Sequence, residues 1–349
     1  MTNFNINKLT RTNVLNMKPY SSARDEYKEF KHEMIYLDAN ENPFDNSVNR
    51  YPDPQQMELK ELLAEMREVK IENILIGNGS DEVLDLLYRA FCEPNKDNVI
   101  TLPPTYGMYE VLANINAVEN RAVFLTDDFQ PNAQEILNNT DENTKILFLC
   151  SPNNPTGNSF SDKIIFELLS NFSGLILIDE AYIDFSERDS WLLLLKEYPN
   201  LVICQTLSKA YAMAGVRIGI LYASAEIIAV LNKIKPPYNI NILSQEKAIK
   251  KLQQSTLDFQ VKKILLEREK LFKALETVDF IEKVIPSDSN FILIKVDDAE
   301  LRYQQFIDNG IVVRNRSNQP LCENCLRITI GTKDENEKVI QLLKSVQYA

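Results

Sequence analysis

Seven short apolar runs punctuate the chain between residues 74 and 222: Ile74–Ile76, Val99–Leu102, Ala122–Leu125, Ile146–Cys150, Leu175–Ile178, Leu201–Cys204 and Ile218–Tyr222. Each is three to five residues long and bounded by polar turns, the signature of strands buried on both faces of a mainly parallel sheet. Longer helical patterns separate them. Between the first two runs, Val83, Leu86, Leu87 and Ala90 recur at helical spacing, and Asp81 stands where an N-terminal capping residue belongs. The expected architecture is α/β, a seven-stranded sheet flanked by helices. After Lys235-Pro-Pro-Tyr238 the pattern changes to a charged helix over 258–275 and strands at Phe291–Val296 and Leu326–Ile330. We therefore expect an arm over 1–35 with at most one short helix, a large domain over 36–236, and a small α+β domain over 237–349. The arm should pack on the small domain or a partner subunit.

Composition removes several classes of function. A formal charge of −12 opposes binding to nucleic acid or an anionic membrane surface, which need a positive field. No apolar run approaches the ~18 residues that cross a bilayer, and the first twenty residues lack a signal peptide's apolar stretch. A cytoplasmic location is expected. Five cysteines without a framework pattern fit reduced thiols. Cys322 and Cys325 form a lone Cys-x-x-Cys pair, and the only histidine, His32, sits in a polar stretch, so neither a zinc site nor a histidine-based triad is expected.

Polar residues follow the apolar runs in a telling order. Gly77-Asn-Gly79-Ser80-Asp81 lies between a strand and a helix, where backbone N–H groups and the helix dipole hold a phosphate, unless the turn is mere chain reversal. Glu82 occupies the third glycine position of a dinucleotide fingerprint, and no Gly-x-x-x-x-Gly-Lys-Ser/Thr loop is present, so nucleotide readings lose support. Tyr106 follows the second run and either stacks on a ligand ring or belongs to the core. Ser151-Pro-Asn-Asn154-Pro-Thr-Gly157 forms a rigid turn that presents the Asn154 side chain or is structural only. Asp179 ends the fifth run; alone, such an acid is more often a turn cap. Thr206, Ser208, Lys209 and Arg217 cluster at the end of the sixth, a solvated loop on the blandest reading.

Together these residues meet the demands of pyridoxal 5'-phosphate chemistry. Lys209 would hold the cofactor covalently, Asp179 would keep the pyridine nitrogen protonated, and Tyr182 and Asn154 would donate to the phenolic oxygen. Thr206, Ser208, Arg217 and the Gly79-Ser80-Asp81 turn would cradle the phosphate.

The ordered set Gly79-Ser80-Asp81, Tyr106, Asn154, Asp179 with Tyr182, Ser208-Lys209 and Arg217 resembles fold-type I pyridoxal-phosphate-dependent aminotransferases over nearly the whole chain. Lys18-Pro-Tyr20-Ser-Ser-Ala-Arg24, Leu37-Asp-Ala-Asn-Glu-Asn-Pro43, Arg50-Tyr51-Pro-Asp53 and Cys325-Leu-Arg327-Ile-Thr-Ile-Gly331 narrow the resemblance to the histidinol-phosphate aminotransferase family. That resemblance implies ping-pong exchange of an amino group between L-histidinol phosphate or imidazole acetol phosphate and 2-oxoglutarate or glutamate. It implies that Arg314 and Arg327 bind substrate anions, with Tyr20 adding a hydroxyl and Asn290 helping to orient the site. It further implies a homodimer with shared sites, in which Tyr51 reaches the partner's cofactor. Aromatic amino acid aminotransferases and threonine-phosphate decarboxylases are the nearest rivals, since both share the cofactor residues. Arg316 lies outside the family pattern; it either tunes anion affinity or, as is commoner for a single charge, faces solvent.

Overall fold

The computed structural model describes residues 4–19, 35–254 and 257–347. Seven strands form one sheet: β1 (Ile74–Asn78), β2 (Asn98–Thr101), β3 (Glu119–Ala122), β4 (Thr144–Cys150), β5 (Leu175–Asp179), β6 (Leu201–Thr206) and β7 (Ile218–Tyr222). Their order is β1-β7-β6-β5-β4-β2-β3. Only β7 runs antiparallel to its neighbours. Alternate residues feed two cores. Leu147, Leu149, Ile176, Ile178 and Ile203 face one layer, while Phe148, Leu175, Leu177 and Val202 face the other. Burial on both faces explains why these strands read as continuous apolar runs.

Helices cover both faces. Besides α1 (Ile6–Leu9) and α2 (Thr12–Asn16), they are α3 (Met57–Arg67), α4 (Ser80–Phe91), α5 (Met108–Ile115), α6 (Ala133–Asn138), α7 (Asp162–Asn171) and α8 (Ala225–Ile234). The amphipathic α4 buries Val83, Leu84, Leu86, Leu87, Ala90 and Phe91 against the sheet. Then follow α9 (Ile242–Leu252) and the 19-residue α10 (Leu257–Leu275). A second, antiparallel sheet of order β10-β11-β9-β8 is built from β8 (Ile281–Val284), β9 (Phe291–Val296), β10 (Arg314–Asn315) and β11 (Cys325–Thr329). It packs with α10, α11 (Ala299–Asp308) and α12 (Lys333–Gln347) around its own core of Leu271, Ile292, Ile294, Phe306, Leu326 and Ile328.

Four expectations change. The third strand is Glu119–Ala122, not Ala122–Leu125. Val123 and Leu125 are buried and still donate to the Thr101 and Pro103 carbonyls, so the apolar signal marks the strand's continuation beyond the regular ladder. Asp81 is not the cap of α4, because Gly79 holds that position without a side-chain hydrogen bond. The arm carries two short helices rather than one at most. Its described part does not lie on the small sheet: Ile6 and Val14 join the large-sheet core, Arg11 pairs with Glu93 at 3.2 Å, and Lys233 of α8 donates to the Leu15 carbonyl at 2.9 Å.

The two sheets meet through specific contacts. Arg268 on α10 donates to the Ser289 carbonyl at 2.8 Å and the Phe185 carbonyl at 3.2 Å. Asp288 accepts from the Ser159 amide at 3.0 Å and donates its own amide to the Gly157 carbonyl at 2.7 Å. Gly157 has φ +85°, and a Cβ there would stand 2.6 Å from Ser287 Oγ, so glycine is needed for this approach. These contacts bring β11 over the carboxyl edge of the large sheet.

Candidate active site

Parallel strands place their carboxyl ends along one edge, which is where open α/β sheets bind ligands. Here β1, β4, β5 and β6 end together, and antiparallel β7 begins beside them. Sixteen side chains from this edge and from the second sheet enclose a cavity of about 310 Å³. Ser80, Asp81, Tyr106, Asn154, Asp179, Tyr182, Thr206, Ser208, Lys209, Arg217, Arg314 and Arg327 all line it. Gly79 does not line it but buttresses it, since a Cβ there would meet Arg217 Nη2 at 2.6 Å.

Tyr51 and Asn290 stand outside this chain's own cavity. Tyr51 is 52% exposed and stacks on Tyr238 with ring centroids 4.5 Å apart, in a separate cleft bordered by Arg50 and Asn241. The Tyr51 amide donates to Glu41, which also pairs with Arg50 at 2.8 Å, so the segment around Tyr51 is tied down. Tyr20 lies outside the described residues, as does His32. Asn290 pairs through its backbone carbonyl with the Ile330 amide at 2.9 Å, and its side chain does not line the cavity.

Asp179 is 3% exposed at the floor. Burial raises its carboxyl to about 6, and hydrogen bonds from the Tyr109 hydroxyl at 2.7 Å and the Ala181 amide at 3.1 Å oppose that rise. Tyr109 was not anticipated from the sequence. It stacks on Phe148 at 4.9 Å in the sheet core, and a tyrosine on a helix's apolar face reads as packing. Its three-residue spacing from Tyr106 was the available signal. Tyr106 holds Asp81 at 2.9 Å, so the two tyrosines orient the two acids that line the cavity. Asp81 thus serves this contact rather than capping α4.

Lys209 is solvent-accessible and reaches into the cavity, with Nζ 5.6 Å from the centroid of the Tyr182 ring. Desolvation by the surrounding walls lowers its pKa, and the positive field of Arg327 adds to the effect. Asn154 Nδ2 donates to the Tyr182 hydroxyl at 3.4 Å, while Asn154 Oδ1 accepts from Arg327. Burial pushes the Tyr182 phenol upward and Arg327 pulls it back, so at neutral pH the hydroxyl is a donor.

A phosphate fits the end of the cavity beside α4. The Gly79 cap supplies no side-chain acceptor, leaving the first-turn amides of a 12-residue helix to other partners. Thr206 and Ser208 hydroxyls, 3.0 Å apart, and the exposed Arg217 complete the donor set. Gly219 makes this closeness possible, because a Cβ there would fall 2.3 Å from the Ser80 amide nitrogen. The opposite wall is cationic. Arg314 and Arg327 are directly paired across β10 and β11, and Arg327 lies 5.0 Å over the Phe291 ring. Of the two readings of Arg316, the solvent-facing one is corrected: the residue lines the cavity, and desolvation, then Arg327 and Arg314, lower its guanidinium to about 10.

Cys322 and Cys325 are buried free thiols in this structure, and the described residues contain no group of His, Cys, Asp and Glu able to hold a metal. No described helix is long and apolar enough to cross a membrane.

Comparisons with known proteins agree with the geometry. A family profile described as "Aminotransferase class I and II" matches residues 22–343. A histidinol-phosphate aminotransferase from Flavobacterium psychrophilum is 69% identical over 346 residues, covering 99% of this chain and 100% of the relative. The crystal structure of the histidinol-phosphate aminotransferase from Clostridium acetobutylicum superposes with a TM-score of 0.80 at 25% identity, over 86% of this chain and 91% of that one. The enzyme of that name from Sinorhizobium meliloti, solved in complex with pyridoxal-5'-phosphate, shares the fold with a TM-score of 0.78 at 24% identity, over 86% and 84% of the chains. The chain belongs to the class I and II aminotransferases and, within them, to the histidinol-phosphate aminotransferase family.

Proposed function

We propose that the protein transfers an amino group between L-histidinol phosphate or imidazole acetol phosphate and 2-oxoglutarate or glutamate, with pyridoxal 5'-phosphate held on Lys209. The observation that supports this best is the convergence, in one cavity, of an amine, a buried acid, phenol and amide donors, a phosphate cradle and an anion-binding wall. The cofactor supplies an electron sink for the carbon that loses its proton.

The chain's own groups do the rest. Asp179, held by Tyr109, presents an anion to the pyridine nitrogen. Tyr182 and Asn154 donate to the phenolic oxygen. Ser80, Thr206, Ser208 and Arg217 hold the phosphate, with Asp81 and Tyr106 shaping the site between them. Lys209 would hold the cofactor and would move the proton at the substrate carbon, and its lowered pKa leaves more of it neutral for that task. Arg314 and Arg327 grip the α-carboxylate of glutamate in one half-reaction and the phosphate of histidinol phosphate in the other, since a guanidinium fork suits both anions.

A homodimer with shared sites belongs to the same reading. The exposed Tyr51, stacked on the half-buried Tyr238 outside the chain's own cavity, supports it as a surface offered to a second copy. We place the domains at 1–35, 36–236 and 237–349, and the enzyme in the cytoplasm, where five buried free thiols suit a reducing setting. The test is an assay of purified protein with histidinol phosphate and 2-oxoglutarate. Glutamate formation is expected. Absence of glutamate, with carbon dioxide released from threonine phosphate, would replace this reading by that of a decarboxylase.

A further inference from the structure

The cationic wall contains one arginine more than a carboxylate requires. Arg314 faces Arg327 across the β10–β11 ladder, and the ladder runs one residue further, where the Arg316 amide donates to the Cys325 carbonyl at 2.8 Å. Side chains two apart in an extended segment share a face, and all three guanidinium-bearing residues line the one cavity. Like charges directly opposite on a sheet are destabilising, yet no described acid forms an ion pair with any of the three. The two acids of the cavity are engaged elsewhere, Asp81 by Tyr106 and Asp179 by Tyr109 and the Ala181 amide. Arg316 Nε and Arg327 Nε are both buried without a hydrogen-bond partner. The wall therefore holds more positive charge and more unused donors than the protein itself satisfies.

We propose that Arg316 is a specificity-determining residue that recognises the second negative charge of a phosphate monoester. The inference rests on the proposed function, in which one wall receives a carboxylate and a phosphate in turn. A carboxylate carries one charge, and two oxygens fill the fork of a single arginine with Arg314 beside it. A phosphate dianion brings three acceptor oxygens and nearly twice the charge, so a third guanidinium is used fully in only one of the half-reactions. The residue thus biases a shared site toward the phosphorylated partner.

The test compares the two half-reactions of the holoenzyme in Arg316→Gln and Arg316→Lys. For Arg316→Gln, kcat/KM with histidinol phosphate should fall by about 10-fold to 100-fold, the range for a lost charge-assisted hydrogen bond. With glutamate it should fall by less than about 3-fold. Competitive inhibition by inorganic phosphate should weaken in parallel, and Arg316→Lys should recover part of both losses because it keeps the charge but not the fork. The thermal midpoint of Arg316→Gln without substrate should not drop, since a repulsion is relieved; a structural role would lower it. Equal losses in both half-reactions, a loss confined to glutamate, or no change in either overturns the proposal. Should wild-type protein fail to use histidinol phosphate, the proposed function falls, and unchanged inhibition by inorganic phosphate in Arg316→Gln would then reject the role of Arg316 separately.

Discussion

At the scale of single residues, the cost of the site is concentrated in Asp179. Its folded pKa of about 6 lies above the ordinary carboxylate value, so between those values the folded state binds the proton more tightly than the unfolded chain. Stability of the cofactor-free protein from this group is therefore greatest at low pH, declines as pH rises from about 4 to about 6, and stays reduced above that. Asp179→Asn should stabilise the cofactor-free protein at pH 7.5 by about 1–3 kcal/mol in urea unfolding, with little gain at pH 4. The same variant should lose most transaminase activity, because the ring nitrogen loses its anionic partner. A destabilised or fully active Asp179→Asn protein contradicts the assignment. Tyr109 acts one step back, as a positioning residue. Tyr109→Phe removes one hydrogen bond to Asp179 and should lower kcat by about 3-fold to 10-fold, from the ~1 kcal/mol typical of such bonds. The pH at which activity falls on the acid side should move upward, which loss of packing alone would not cause.

At the scale of elements, legibility followed burial. Six of the seven large-sheet strands were readable because both faces are covered, which turns each into an apolar run, whereas the polar, partly exposed β3 was placed too late. Where one face is open the signal faded: β8, Ile281-Glu-Lys-Val284, is a half-exposed edge strand that the sequence did not disclose. The arm helices of four and five residues were too short for a periodic pattern. Most candidate site residues could be named in advance because they follow strand ends in chain order. Tyr109 could not, since it looks like core, and the anion-binding reading of Arg316 gave way to a surface one until the second sheet was seen to close over the first. The junction of β1, α4 and β7 is the element on which the cradle depends. Gly219→Ala would force a Cβ into the Ser80 amide and the Gly79 carbonyl carbon, 2.3 and 2.4 Å away, both backbone atoms. It should cost about 1–3 kcal/mol in stability and weaken cofactor binding in a titration. Wild-type stability together with wild-type cofactor affinity would show that the junction is not as tight as these distances imply.

At the scale of the whole molecule, each proposed site draws on two sheets and a second subunit. Tyr51 stands outside its own chain's cavity, so its proposed contribution is made in trans. Lys209→Ala and Tyr51→Ala proteins should each be nearly inactive, yet a refolded equal mixture should regain up to about a quarter of wild-type activity, because half of the dimers then carry one intact site of two. No recovery on mixing, with dimers present, argues that Tyr51 acts in its own chain or not at all. Every proposed role depends on one amine among many lysines. Borohydride reduction of the holoenzyme followed by peptide mass mapping locates the cofactor covalently. The prediction is a pyridoxyl adduct on the peptide carrying Lys209 and on no other lysine; an adduct elsewhere, or none on a visibly loaded enzyme, contradicts it.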